Sequence, residues 1–109
     1  MKLFDDDYGW LEPDGSFHPV KWGEHQIWAD EWMQKVLPCK EYIKFSDKEL
    51  FAGDYLTQKG WILLHNPACG IAHISRNENC RVTKAQKKFL YGYFWDRGLY
   101  DEAANVLQL

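Results

Sequence analysis

Apolar and polar residues alternate along this chain in blocks that predict strands and helices in a definite order. Residues 61–65 (Trp-Ile-Leu-Leu-His) and 70–74 (Gly-Ile-Ala-His-Ile) are short apolar runs parted by Asn66-Pro67-Ala68-Cys69. Runs of that length around a turn-forming Asn-Pro predict a β-hairpin. Downstream, Thr83 and Gln86 have the spacing of a capping box, in which the hydroxyl caps a backbone N–H and the glutamine reaches back. Gly98 tolerates the left-handed backbone that ends a helix, so the spacing predicts a helix over 84–97.

The first half of the chain has a related pattern. Pro13-Asp14-Gly15 is a strong turn signal between two short candidate strands, 8–12 and 16–21, and Pro19 marks the second as an edge strand or one that ends early. Residues 23–36 read as a helix: at about 100° per residue, His25, Trp28, Ala29, Trp32 and Val36 share one stripe, and Gln26, Asp30, Glu31 and Gln34 lie opposite. Pro38 stops it, because the residue before a proline avoids the α region. After a mixed connector at 39–45, Ser46-Asp47-Lys48-Glu49 forms a second capping box, predicting a helix over 47–58 that ends at Gly60 and is weakened at Gly53. Residues 99–109 predict a short last helix with Leu99, Ala103, Val106 and Leu107 on its apolar face.

These elements imply a single α+β domain over 1–109. Gly9-Trp10-Leu11, turn, strand, helix is echoed by Gly60-Trp61-Ile62, turn, strand, helix, a possible pseudo-repeat of about 8–36 and 60–97. The expected architecture is a four-stranded antiparallel sheet made of two β-hairpins, each followed by a helix, with the helices packed mainly on one face.

Composition sharpens this picture. The chain is 17 % aromatic, with six Trp, six Tyr and six Phe, more rings than one small core readily encloses, so some are expected at the surface as contact residues. A formal charge of −3 gives no general field for nucleic acid or an anionic membrane, and direct nucleic-acid binding is not expected. Charge is uneven, with Asp5-Asp6-Asp7 near the start and Arg76, Arg81, Lys84, Lys87 and Lys88 around the start of the long helix. Three cysteines, an odd count without framework spacing, and no apolar signal core predict reduced thiols in the cytosol. No apolar run approaches the roughly twenty residues needed to span a bilayer.

Candidate chemistry is sparse. On the helix 84–97, Phe89, Leu90, Tyr93 and Phe94 cluster within about 140° as the core stripe. Lys84, Lys88, Tyr91 and Trp95 lie opposite, the composition of a protein-binding patch or of a surface that stacks on a nucleotide. The competing reading is that other segments cover Tyr91 and Trp95. His65, Cys69, His73 and Cys80 are a weak zinc alternative, since their spacing is not that of a knuckle and side chains on a strand alternate faces. His25, on the apolar stripe, reads as a packed histidine, and Cys39 has only Lys40 beside it to activate a thiol. No phosphate loop, nucleophile elbow or paired-carboxylate motif is present, and no cofactor is expected.

Gly9-Trp10-Leu11-Glu12-Pro13-Asp14-Gly15-Ser16-Phe17, Gly23-Glu24-His25-x-x-Trp28-Ala29, Gly60-Trp61-Ile62-Leu63-Leu64-His65 and Thr83-x-x-Gln86 together resemble a class of small, uncharacterised proteins of Gram-positive bacteria and their phages. The likeness spans about residues 8–95 and is carried by glycines, aromatics and caps. It implies a non-enzymatic phage or prophage accessory protein in the host cytosol. By analogy of size and setting alone, its partner is expected to be a host defence protein, inhibited sterically in the manner of inhibitors of CRISPR nucleases. The alternative is a sponge for a nucleotide or other small ligand, and the third reading is a metal- or thiol-dependent enzyme. Oligomeric state is left open.

Overall fold

The computed structural model of the chain describes residues 8–21, 23–36, 52–65 and 73–109. The strands are β1 (Tyr8–Leu11), β2 (Phe17–Val20), β3 (Ile62–His65) and β4 (His73–Ser75), and the helices are α1 (His25–Val36), α2 (Ala52–Gln58), α3 (Lys84–Asp96) and α4 (Tyr100–Val106). The Ser46 capping box, the connector 39–45, the turn 66–69 and residues 70–72 lie outside the described residues, as do Asp5-Asp6-Asp7, Cys39 and Cys69. The class is α+β, with a four-stranded antiparallel sheet in the order β2-β1-β3-β4. Pro19 falls on the edge strand β2, where a missing N–H breaks no ladder on the outer side.

The register decides which way each residue faces. Leu11 pairs with Ile62 and Phe17, and Gly9 with Leu64, so Leu11, Ile62, Leu64, Phe17 and Ile74 share one face. That face packs on Val82, Leu90, Tyr93 and Phe94 around α3 and on Ala103 and Val106 of α4. Trp10, Leu63 and Val20 point the other way, into a second cluster with Trp61, Ala29 and Met33 of α1, and Ala52, Tyr55 and Leu56 of α2. The helices are therefore divided between the two faces, α1 and α2 on one, α3 and α4 on the other. The expectation that they gather mainly on one face does not hold. The physical reason is in the central strands: all four residues of β1 are buried, and a strand covered on both sides has no polar face to turn to water.

This division also limits the internal echo. β1 and β3 are antiparallel neighbours with Leu11 opposite Ile62, so a local two-fold axis perpendicular to the sheet relates them and keeps faces unchanged. Trp10 and Trp61 obey it and meet in one cluster. The helices that follow the two hairpins do not, since α1 and α3 lie on opposite faces. The likeness is confined to the strands and their leading Gly-Trp.

Helix ends follow local chemistry. Thr83 caps α3 in a complete capping box with Gln86. At the far end, Leu99 N–H donates to Phe94 O and Gly98 N–H to Trp95 O, the paired bonds of a Schellman motif, with Gly98 at φ +74°. Gly60 (φ +94°) closes α2 in the same way, through Trp61 N–H to Leu56 O and Gly60 N–H to Thr57 O. Gln86 is fully buried and ties the layers together: its amide donates to Gly60 O at 2.7 Å and Leu11 O at 3.4 Å while its carbonyl accepts Thr83 N–H at 3.1 Å.

Candidate partner-binding surface

α3 presents two unlike sides because its sequence is amphipathic at helical spacing. Leu90, Tyr93, Phe94 and Gln86 face inward, while Phe89, expected in the core stripe, is only half-buried, stacked on Phe17 at 4.9 Å. Phe17 in turn lies over Gly9, where an added Cβ would fall 2.0 Å from its ring.

Lys84, Lys88 and Trp95 are exposed, and Tyr91 is half-buried against the α3–α4 cluster. Trp95 keeps 50 % of its surface open although α4 follows it directly. Tyr91 and Trp95 sit one helical turn apart and stack at 5.7 Å with rings 15° from parallel. The Schellman turn then reverses the chain and sets Tyr100, the first residue of α4, edge-on to Trp95 at 4.6 Å. Tyr100 is itself 55 % exposed, so Tyr91, Trp95 and Tyr100 form one continuous stack with two outward rings. Leu107 and Leu109 are further exposed apolar residues at the end of the chain. Sequence reasoning found Tyr91 and Trp95 from helical spacing; Tyr100 escaped it because its partnership depends on the geometry of the turn.

Beside this stack, Ala85, Lys88, Phe89, Gly92, Tyr93 and Asp96 of α3 and Asp14 and Gly15 of the β1–β2 turn line an open groove of about 500 Å³. The Asp14 carboxylate accepts the Ser16 N–H at 2.8 Å, and that bond holds its pKa below the ordinary value. The groove thus carries two carboxylates against one ammonium, a poor match for phosphate.

A second constellation lies across the sheet. The His18 imidazole Nε2 meets the Glu12 carboxylate, and the ring is flanked by Trp32 at 5.1 Å, Trp28 at 5.5 Å and Trp61 at 5.6 Å. Trp28 stacks on Trp32 at 5.7 Å and on Trp10 at 6.2 Å. A carboxylate and three indole rings thus enclose the imidazole. The same rings cover the imidazole, so the block serves to wedge α1 onto the sheet. Sequence reasoning missed it, since Glu12, His18, Trp28 and Trp61 come from four segments.

The remaining candidates have structural duties. His25 is part-buried and stacks on Tyr8 at 5.7 Å, and Tyr8 stacks on His65 at 4.7 Å; burial raises the Tyr8 phenol pKa above its ordinary value. The Cys80 thiol donates to Gln58 O at 3.3 Å, beside the start of β3, whereas His65 ends that strand, roughly 10 Å away at the usual rise per residue. Among the described residues no three His, Cys, Asp or Glu side chains come together to hold a metal. Arg76 of the basic cluster is turned inward to Cys80 O at 3.0 Å, leaving Arg81, Lys84 and Lys88 exposed. No helix among the described residues is long and apolar enough to cross a membrane. Compared with known proteins, the chain matches no family model, no curated protein and no solved structure.

Proposed function

We propose that this domain is a non-enzymatic binding module that grips another protein through the aromatic stack on α3 and α4. The observation that carries the reading is Trp95: it is half exposed, yet held in place between Tyr91 and Tyr100. An aromatic ring ordered before binding loses little conformational freedom on contact, and such rings concentrate binding energy. Lys84 and Lys88 sit at its rim, where cations steer approach and orientation. That it is a phage accessory protein is what the sequence resemblance supports; that its partner is a host defence protein, blocked sterically, rests on analogy of size and setting and not on geometry.

The test uses wild-type protein and Trp95→Ala as baits in lysate of a Gram-positive host, followed by activity assays on whatever is retained. The expected result is a protein retained stoichiometrically by wild type, inhibited by it, and lost with Trp95→Ala while that variant stays folded. Retention of the same protein by Trp95→Ala, or failure of wild type to retain any, overturns the reading.

A further inference from the structure

Gly92 stands in the middle of α3, where glycine costs up to about 1 kcal/mol relative to alanine. Its backbone is not left-handed, and an added Cβ would meet nothing within 4 Å. Neither conformation nor internal packing calls for glycine there. What it leaves is a bare patch of helix backbone on the floor of the groove, open to close approach from outside. Lys88 and Asp96 lie four residues to either side on the same strip, each about 6 Å from Gly92 along the helix axis. Neither forms an ion pair with any described residue.

A strip with a cation at one end, an anion at the other and a gap at its midpoint is complementary to itself when reversed. We propose that it is a self-association seam, in which two copies of this chain pack α3 against α3 in antiparallel fashion about a two-fold axis at Gly92. Lys88 of each copy then faces Asp96 of the other, and the two glycines let the backbones meet. A parallel pairing would set lysine against lysine and aspartate against aspartate. The occupant is thus a second copy, because an isologous contact must match a patch to itself. This inference goes beyond the binding-module reading and shares only Lys88 with it: on a helical wheel Trp95 lies about 60° from Gly92, at the margin of the seam.

The experiment is sedimentation velocity of the full chain across a concentration series. Wild type should shift with concentration from the 12.9 kDa monomer toward twice that mass. Lys88→Asp and Asp96→Lys should each weaken the dimer by about tenfold or more, and the double swap should recover wild-type association. Gly92→Leu should abolish the dimer with helix content unchanged by circular dichroism. A constant monomer mass, or a double swap no tighter than either single variant, overturns the proposal. Failure here leaves the Trp95 reading standing, because that reading is measured by retention of a different protein.

Discussion

Replacing Gln86 with methionine isolates the polar work of the residue that joins α3 to β1 and to the turn between α2 and β3. The side chains are of similar length, so little cavity is created, and the change removes three hydrogen bonds: to Gly60 O at 2.7 Å, to Leu11 O at 3.4 Å and from Thr83 N–H at 3.1 Å. A typical bond of this kind contributes about 1 kcal/mol net, the long one to Leu11 less, and a buried carbonyl left without its donor costs about 1–3 kcal/mol. The total comes to about 3 kcal/mol, or a fall in Tm of about 12 °C for a domain of this size. Urea unfolding followed by Trp fluorescence should show a lower midpoint with an unchanged m-value. Gln86→Glu should be worse, because its carboxylate cannot donate to either carbonyl and would be buried at 0 % exposure without a cation. A Gln86→Met protein within about 0.5 kcal/mol of wild type, the range of an ordinary surface change, would refute the role assigned to this side chain.

Gly9→Ala should cost about 1–3 kcal/mol by overpacking, because the new methyl would lie 2.0 Å from the Phe17 ring; a neutral result in urea unfolding counts against that contact. Trp61→Ala should destabilise by about 3–5 kcal/mol and Trp95→Ala by about 1 kcal/mol or less, since the first ring is 8 % exposed and the second 50 %; equal losses of Tm would contradict the assignment of core and surface. The lowered pKa of Asp14 means that the native state holds fewer protons than the unfolded chain around pH 3.8, so its contribution is present at neutral pH and lost as pH falls through and below that value. Asp14→Asn should flatten this part of the acid limb of a Tm-versus-pH curve, and an unaltered limb would rule out the Ser16 bond as its source.

Features governed by a few neighbouring residues were legible in the chain. Thr83 and Gln86 cap α3 at the expected place, and Gly60 and Gly98 close helices with positive φ, because caps depend on atoms within one turn. Layering was harder to read. Tyr8–Leu11 and Ile62–His65 are nearly continuous apolar runs, and the lack of alternation was itself the sign of burial on both faces, which the order hairpin-then-helix obscured. In α1 the deepest residues are Ala29 and Met33, with Trp28 and Trp32 half-buried. Large indoles reach the core from the flank, and periodicity alone does not separate reach from position. The surface stack was half legible: Tyr91 and Trp95 are one turn apart on one helix, but Tyr100, like the Glu12–His18 pair on the opposite face of the sheet, depends on how the chain folds back.

A sheet clothed on both sides acts as a partition, with two rooms that share a wall and little else. Residues on the α3–α4 side can be exchanged for a new partner without disturbing the tryptophan block behind β1 and β3. Neither room can be emptied alone, however, since removing one pair of helices would wet a bare wall of Leu11, Ile62 and Leu64 or of Trp10 and Trp61. The arrangement lets one exterior drift while the wall stays covered on both sides.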